Sequence, residues 1–409
     1  METIVQKFGG TSVGSVERIQ HVANLIIEEY ERGHSIVSVV SAMGKSTDEL
    51  VALANAIAEN PSKREMDMLL STGEQVTISL LTMVLQAKGY NAISLTGWQA
   101  GITTESVHSS ARITDINVER IQSYLTEGTI VIVAGFQGIS EKNEITTLGR
   151  GGSDTTAVAL AAALKAKKCD IYTDVTGVYT TDPRVVKTAY KLDEISYDEM
   201  LELANLGAGV LHPRAVEFAK NHHVVLEVRS SMEQENGTIV KGECNMEQQS
   251  IVKGIAFEDN ITRVTVKGLE QGSLSIIFST LANAHINVDI IIQSITNEGT
   301  VHLSFSIHSN DLQETLEVLE QNQEDLHYES VEHENHLAKV SIVGSGMVSN
   351  PGVAANMFTT LKEEDIHIKM VSTSEIKVSV VIDRLHLVTG VEALHQSFMA
   401  KIEPLVQMS

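Results

Sequence analysis

The stretch Gly149-Arg150-Gly151-Gly152-Ser153-Asp154-Thr155-Thr156 decides how the rest of the chain is interpreted. It follows an apolar, β-branched run at 129–134 and a polar loop, and an alanine-rich helix is predicted after it at 158–168. A glycine-rich loop that opens a helix offers backbone N–H groups and the positive end of the helix dipole to an anion. Arg150 adds a planar cationic fork that suits a carboxylate or a phosphate. Residues 153–155 are of types that cap helices, so the alternative is a plain, well-capped turn.

Composition narrows the class of protein. The length of 409 residues indicates two or three domains, and a hydrophobic content of 43% suffices for folded cores. The formal net charge of −23 argues against nucleic acid and anionic membranes as partners, because both are usually bound by basic surfaces. Cys169 and Cys244 form neither a disulfide framework nor a metal cluster. The chain enters a predicted strand without a signal peptide and has no apolar run of about 18 residues, so we expect a cytoplasmic protein.

The order of predicted elements indicates an α/β fold. Apolar, β-branched runs alternate with stretches of helical spacing, of which 16–29 and 64–87 are clear examples. This alternation predicts a mainly parallel sheet with helices on both faces. Each predicted strand ends in a cluster of Gly, Thr, Asp or Arg residues, which favours one shared site at the carboxyl edge of the sheet. The predicted strands are 3–8, 35–41, 90–95, 129–135 and 170–173.

Two charged residues lie beside glycines in this predicted sheet. Lys7 stands at the end of the first strand, just before Gly9 and Gly10, and is expected to project into the crevice. A solvated strand terminus is the alternative for Lys7. Glu74 follows Gly73 inside the long helical stretch. Because glycine disfavours a helix interior, we predict a helix boundary there, with Glu74 facing a partner or, alternatively, solvent.

The last third of the chain contains an internal repeat. Residues 278–294 recur as residues 358–374, with matching apolar positions such as Phe278 and Phe358. Each copy has the order strand, helix, strand, strand, helix, which is typical of ferredoxin-like modules. Two copies are expected to pack together and to bind ligands at their junction. Polar residues around 233–250 precede the repeat and are interpreted as a linker.

Together these motifs closely resemble those of aspartate kinases, which join an amino-acid-kinase fold to a C-terminal pair of ACT regulatory modules. The resemblance covers essentially the whole chain and is strongest to the lysine-sensitive type of Gram-positive bacteria. It implies a catalytic domain at 1–240, a linker at 241–260 and ACT modules at 261–335 and 336–409. The motifs that carry it are Lys7-Phe8-Gly9-Gly10-Thr11-Ser12, Val40-Ser41-Ala42-Met43-Gly44, Gly73-Glu74, Gly149 to Asp154, Thr173-Asp174-Val175, Leu211-His212-Pro213, Asn350-Pro351-Gly352-Val353-Ala354 and Ser372-Thr373-Ser374-Glu375-Ile376.

The resemblance implies transfer of the γ-phosphoryl group of ATP to the β-carboxylate of L-aspartate. The product is 4-phospho-L-aspartate, at the first step toward lysine, threonine, methionine and diaminopimelate. A carboxylate of ordinary pKa is ionised at neutral pH, so this reaction needs no general base. The site must instead bring two anions together and neutralise the transferred group. Lys7, together with Mg²⁺ held mainly by the ATP phosphates, is expected to supply that charge, and Asp154 to orient Lys7.

The resemblance also implies two sides of one site. Arg150 is expected to pair with the α-carboxylate of aspartate and Glu74 with its ammonium. The substrate side comprises Thr47, Glu74, Arg150, Gly151, Gly152 and Ser153. The ATP side comprises Lys7, Phe8, Gly9, Gly10, Ser41, Thr173, Asp174, Tyr179 and Arg184.

The chain departs from the family pattern at two places. Gly209 stands where the family often has a lysine, which puts one nucleotide contact in doubt. The first ACT copy lacks the usual Pro-Gly turn and has the sequence Gly268-Leu269-Glu270-Gln271-Gly272 instead. The expected effector contacts are Asn287, Asp289 and Gln293, for which an ordinary strand entry with solvated polar groups is the alternative.

The implied partners are L-aspartate, ATP and an allosteric effector, with lysine alone or lysine plus threonine left open. A homodimer or higher oligomer through the ACT modules is expected, and some relatives make the regulatory half as a separate subunit from an internal start, for which Met246 is the candidate here. Two other functions are kept as alternatives. One is a different amino-acid kinase of the same fold, such as a glutamate 5-kinase, and the other is a catalytically inactive amino-acid sensor.

Overall fold

The protein is described by a computed structural model over residues 1–207, 209–242, 250–270, 272–296 and 300–399. Cys244, Met246 and Gln271 lie outside the described residues. The chain forms two compact units. The first unit comprises residues 1–179, 191–205 and 209–246, and the second comprises residues 180–190, 206–208 and 247–409.

The first unit is built on an eight-stranded sheet. The strands of this unit, in chain order and including those of a second, smaller sheet, are β1 (Thr3–Phe8), β2 (Ser35–Val40), β3 (Ala92–Leu95), β4 (Ile102–Thr104), β5 (Ile113–Ile116), β6 (Ile130–Ala134), β7 (Gln137–Ser140), β8 (Ile145–Thr147), β9 (Lys168–Thr173), β10 (Glu194–Ser196), β11 (Leu226–Ser230) and β12 (Thr238–Lys241). The helices are α1 (Val16–Glu31), α2 (Ser46–Ile57), α3 (Lys63–Ala87), α4 (Glu119–Thr126), α5 (Gly152–Ala163), α6 (Tyr197–Asn205) and α7 (Pro213–His222). The sheet order is β10-β12-β11-β9-β1-β2-β6-β3, and β11–β12 is its antiparallel pair. The predicted, mainly parallel α/β fold is confirmed.

The side chains of β1 point alternately into the hydrophobic core and toward α5. Ile4 and Phe8 are fully buried in a cluster with Ile19 of α1 and Leu81 of α3. Because successive side chains of a strand point to opposite faces, Lys7 faces away from that cluster. It meets α5 instead, where its ammonium pairs with a carboxylate. One face of the sheet therefore supplies the core, and the other supplies a cation at the end of the strand.

The bounds of helix α5 differ from the predicted ones at both ends. It begins at Gly152 rather than at 158 and ends at Ala163, and Lys168 already belongs to β9. Its N-cap is Gly151, with φ of 70° and no side-chain cap. Such a left-handed conformation costs glycine little. Residues 153–155 thus form the first helical turn, so their interpretation as caps was wrong.

Helix α3 is continuous through Gly73, so the predicted boundary at Gly73-Glu74 was wrong. The glycine serves close packing, since a Cβ at this position would lie 2.8 Å from the Cβ of Ala42. Length and composition alone would allow α3 to cross a membrane, which the sequence analysis did not expect. Its buried residues include Asp67 and Glu74, and we interpret it as a core helix of the first unit.

A second, four-stranded sheet was not predicted. Its order is β5-β4-β7-β8, with β7 and β8 antiparallel to each other. This hairpin occupies the stretch that the sequence analysis treated as a polar loop between β6 and Gly149. Strands of three or four residues are too short to show a clear periodicity. The hairpin matters because β8 ends at Thr147 and delivers the glycine-rich loop.

The second unit contains the predicted repeat. Its strands are β13 (Gly254–Leu269), β14 (Ile291–Ile295), β15 (Val301–His308), β16 (Ser330–Val343), β17 (Met370–Thr373) and β18 (Lys377–Asp383). Its helices are α8 (Leu274–Asn283), α9 (Leu312–Gln321), α10 (Gln323–Leu326), α11 (Val353–Glu363) and α12 (Leu387–Met399). The strands β13 to β18 form one sheet of order β14-β15-β13-β16-β18-β17. Apart from the extra short α10, each copy has the predicted strand, helix, strand, strand, helix order. Strand β13 begins inside the stretch 241–260 assigned to the linker, and the domain bounds stay a prediction.

A short segment of the N-terminal half packs within the second unit. Residues 180–190 were assigned to the catalytic domain, but Val186 is buried in a cluster with Val340 and Leu394. The Thr180 hydroxyl lies 2.9 Å from Nε2 of the buried His395. Burial lowers the pKa of His395, which favours its neutral form. The contact therefore does not require a charged imidazole.

Candidate active site

A cavity of about 320 Å³ lies at the carboxyl ends of β1 and β2 in the first unit. The walls come from the segments that follow β1, β2 and β6, from the first turn of α2, from α3 and from the loop that opens α5. This is the location at which open α/β sheets bind ligands. The cavity is lined by Lys7, Gly10, Ser41, Ala42, Gly44, Thr47, Glu74, Phe136, Gly149, Arg150, Gly151, Gly152, Ser153 and Asp154. Lys7, Gly10 and Ser41 of the predicted ATP side thus line the same cavity as the six predicted substrate-side residues.

Lys7 and Asp154 form the central ion pair. The Lys7 Nζ atom lies 2.6 Å from Oδ1 of Asp154, and each side chain is only 12–13% exposed. Lys7 ends a rigid strand, and Asp154 lies in the first turn of α5, where the helix dipole favours a negative charge. The carboxylate therefore fixes the ammonium at the mouth of the cavity. That Asp154 orients Lys7 for catalysis stays a prediction.

The Gly9-Gly10 turn lets two strand-end loops approach each other closely. A Cβ on Gly10 would lie 2.9 Å from the carbonyl oxygen of Ala42. The Gly44 N–H donates to the Gly10 carbonyl at 3.0 Å. Side chains here would push the loops apart, so small residues keep the backbone at the cavity wall. A backbone of this kind can approach phosphate oxygens directly.

Glu74 is the buried acid of the site. Its Oε1 accepts the Ala42 N–H at 3.1 Å, while Oε2 is buried and has no hydrogen-bond partner among the described residues. Burial raises the pKa of Glu74 to about 7, although the Ala42 N–H opposes the rise. Gly73 permits this arrangement by letting α3 touch Ala42. An unpaired carboxylate oxygen in a cavity wall is suited to a cationic group of a ligand.

Arg150 stands on a loop shaped by its glycines. Gly149 and Gly151 have φ values of 75° and 70°, and the Gly152 N–H donates to the Gly149 carbonyl at 3.0 Å. Arg150 is exposed, and no described residue holds its guanidinium. A Cβ on Gly151 would lie 2.1 Å from Cγ of His212, so no other residue fits. The loop presents a cation that has no partner among the described residues.

Phe136 is a lining residue that the sequence analysis missed. It has a positive φ of 70°, which is uncommon for an aromatic residue. Its N–H donates to the Thr156 hydroxyl of α5 at 3.1 Å, and a Cβ on Gly152 would touch its ring at 2.9 Å. The signal was its place directly after the fourth predicted strand, beside Gly135. Strain at a cavity wall often accompanies function.

The remaining nucleotide-side candidates are only partly brought together. Phe8 stacks on Tyr172 of the neighbouring strand at 4.5 Å and is fully buried, so its side chain packs rather than binds. Thr173 and Asp174 follow β9, which pairs with β1, and they hydrogen-bond each other at 3.0 Å. Neither lines the cavity, and Tyr179, whose hydroxyl bonds Thr176, does not line it either. Arg184 belongs to the second unit and pairs with Asp182 there.

The effector candidates lie on the second unit. Asn287, Asp289 and Gln293 are exposed. The Asp289 carboxylate pairs with Lys339, which also pairs with Glu258 at 3.0 Å. Burial lowers the pKa of Lys339, but the two carboxylates outweigh it and the net shift is upward. One candidate is thus already engaged by a nearly buried cation of β16.

The family follows from comparison with known proteins. Residues 2–230 match the amino acid kinase family, and residues 340–398 match the ACT domain. The chain is 69% identical over 400 residues to an aspartokinase of Bacillus sp. strain MGA3, covering 97% of both chains. It is 66% identical over 406 residues to aspartokinase 2 of Bacillus subtilis strain 168, covering 99% of both.

The chain belongs to the aspartokinase family. It is thus a phosphotransferase of the amino-acid-kinase fold that acts on the carboxyl group of aspartate, and it uses ATP. Among solved structures, E. coli aspartokinase III in complex with aspartate and ADP, in the R-state, superposes with a TM-score of 0.82 at 28% identity, covering 97% of this chain and 100% of that one. The same enzyme in complex with lysine and aspartate, in the T-state, gives 0.77 over the same coverage. The predicted family, fold and activity are confirmed.

Proposed function

We propose that aspartate and ATP meet in the cavity around Lys7, with aspartate held between Arg150 and Glu74. The observation that carries this proposal is that one cavity has Lys7, Glu74 and Arg150 in its walls. Arg150 offers a fork to the α-carboxylate, and the unpaired Oε2 of Glu74 accepts from the ammonium. The β-carboxylate then points toward Lys7. Thr47 and Ser153 lie in the same wall and add hydroxyl donors.

Phosphoryl transfer in this arrangement is achieved by positioning and charge. The β-carboxylate is a nucleophile without loss of a proton, so no step requires a base. Lys7 lies between the reactants and lowers the repulsion between the carboxylate and the triphosphate. The backbone N–H groups of Gly10 and Gly151 add to this neutralisation, whereas those of Gly9 and Gly152 already donate to the carbonyls of Tyr172 and Gly149. Fixing both reactants in one cavity supplies the proximity that an uncatalysed encounter lacks.

Mg²⁺ is proposed to be bound mainly by the phosphates of ATP. The carboxylates of the cavity wall are Glu74 and Asp154, and Asp154 is already paired with Lys7. Magnesium commonly keeps few protein ligands when phosphates are available. When bound, it would withdraw negative charge from the transferred group.

Regulation by lysine, alone or with threonine, is proposed for the second unit. The support is the duplicated ACT-like architecture and the lysine-bound T-state of the E. coli relative. Asn287, Asp289 and Gln293 are the proposed contacts. We further propose a cytoplasmic homodimer or higher oligomer assembled through these modules, with an internally started regulatory subunit as one possible component.

The test is ATP-dependent formation of acyl hydroxamate in the presence of hydroxylamine, with aspartate and glutamate compared. Product from aspartate, lost in Lys7→Met, would support the proposed site. Product from glutamate alone would favour another amino-acid kinase, and turnover of neither would favour a sensor. Titration of the active enzyme with lysine and threonine, singly and together, would identify the effector.

A further inference from the structure

The position of Arg150 is set by its loop rather than by contacts of its own guanidinium. The loop follows Leu148, which is fully buried and comes directly after β8. Thr147 and Leu148 are held by side chains from two helices, α3 and α7. These holding residues have no role in the function proposed above, and neither helix residue lines the cavity.

Arg214 of α7 holds the loop from one side. Its Nη1 donates to the Leu148 carbonyl at 2.6 Å, and its Nη2 donates to the Ala111 carbonyl at 3.2 Å. The Leu148 carbonyl immediately precedes Gly149, the left-handed residue at which the loop turns. A guanidinium is suited to this task because its rigid fork can donate to two carbonyls at once.

Asp67 of α3 holds the loop from the other side. It is fully buried and accepts from the Thr147 hydroxyl at 2.6 Å and from Nδ1 of His108 at 2.8 Å. The Ser109 N–H donates to both of its oxygens, at 3.1 and 3.0 Å. Residue 109 in turn touches Gly149, where a Cβ would lie 3.0 Å from the Ser109 carbonyl oxygen. One carboxylate thus ties both segments beneath the loop.

Asp67 and Glu74 share the buried side of α3, and a separation of seven residues is about two helical turns. One rigid helix therefore carries Glu74 directly and anchors the Arg150 loop through Asp67. We propose that Asp67 and Arg214 are positioning residues that set the distance between Arg150 and Glu74, and so select a substrate with an α-carboxylate beside its ammonium. This inference rests on the proposed roles of Arg150 and Glu74.

The test compares Arg214→Met and Asp67→Asn with the wild type in the full-length enzyme. The KM for aspartate is measured, as are the inhibition constants of succinate, which lacks the ammonium, and of β-alanine, which lacks the α-carboxylate. Arg64→Met is the matched control. Arg64 lies on α3, like Asp67, but it forms ion pairs with Glu65 and Glu144 on a partly exposed surface.

In Arg214→Met we expect the KM for aspartate and the inhibition constant of succinate to rise together by about 30-fold, because a misplacement of about 1 Å can cost about 100-fold. The inhibition constant of β-alanine and the KM for ATP should stay within about threefold, since neither ligand uses Arg150. In Asp67→Asn the KM for aspartate and the inhibition constant of succinate should also rise, but by a smaller factor. Arg64→Met should resemble the wild type.

Arg214→Lys keeps the charge but lacks the fork, and it provides the same comparison if the methionine variant fails to fold. Equal weakening of aspartate, succinate and β-alanine in a folded variant would overturn the inference, as would no change in any of them. A wild type without aspartate turnover would overturn the proposed function and the inference with it. An active wild type with an unchanged pattern in the variants would overturn the inference alone.

Discussion

The Lys7 ammonium and the Asp154 carboxylate, separated by most of the first unit in sequence, lie 2.6 Å apart at the mouth of the cavity. The pair joins the end of a central strand to the first turn of α5. Its geometry gives Lys7 a fixed position while leaving its charge available to a ligand. Separate roles for the two residues follow, and they can be tested.

Lys7→Met should lower kcat by about 100- to 1,000-fold, the usual effect of removing one group that stabilises charge in the transition state. Asp154→Asn should lower kcat by only about 10- to 100-fold, because the ammonium remains but is less well oriented. Steady-state kinetics with saturating ATP and aspartate would measure both. A larger loss in Asp154→Asn than in Lys7→Met would mean that Asp154 has a role beyond orienting the lysine.

The affinity for aspartate should depend on pH through Glu74. With a pKa of about 7 in the empty site, Glu74 is increasingly protonated below neutrality and then no longer attracts an ammonium. Between pH 8 and pH 6 the KM for aspartate should rise about tenfold. Glu74→Gln should have a high KM that varies little across this range. An equally steep profile in Glu74→Gln would assign the pH dependence to another group.

The same buried acid should reduce stability at alkaline pH. The folded-state pKa of Glu74 is raised from 4.5 to about 7, so the neutral form is favoured in the folded protein. The stability it contributes is complete below pH 4.5 and is lost as the pH rises through about 7. At pH 8, the free energy of unfolding of Glu74→Gln should therefore exceed that of the wild type by about 1–3 kcal/mol. At pH 5 the two proteins should differ little. The measurement is urea unfolding of the ligand-free protein, and a less stable variant at pH 8 would contradict it.

Gly73→Ala should weaken aspartate binding although alanine favours helices. The added Cβ would lie 2.8 Å from that of Ala42, and relief of this contact moves α3 away from the backbone N–H that Glu74 accepts. We expect the KM for aspartate to rise about tenfold, since a small misplacement is costly. Gly390→Ala in α12 is the matched control, because a Cβ there meets side chains at an ordinary 3.4 Å. An unchanged KM in Gly73→Ala would show that α3 tolerates the shift.

An effector ammonium that binds Asp289, as proposed, would compete with Lys339 for the same carboxylate. Lys339→Met should therefore lower the lysine concentration that gives half-maximal inhibition, and Asp289→Asn should raise it, each by about 3- to 30-fold for one charged contact. The activity without effector should be unchanged in both variants. If Asp289→Asn is inhibited at the wild-type concentration, then Asp289 takes no part in effector binding.

The sequence by itself determined the α/β class, the repeat and the identity of the charged residues. Strand and helix periodicities survive in β1, β2 and α1 because long apolar faces must be buried. It did not determine where α5 begins or why Gly73 lies inside a helix. Both depend on contacts between distant segments, His212 against Gly151 and Ala42 against Gly73.

Only the tertiary structure decided which residues form the site and what holds them. Phe136 lines the cavity at the start of the β7–β8 hairpin, which is too short to show a periodic pattern, and its N–H is held by Thr156 of α5. The raised pKa of Glu74 arises from burial, and burial is a property of the assembled fold. Asp67 and Arg214 carry no motif, since each acts on backbone carbonyls, amides and hydroxyls that converge only when the chain is folded.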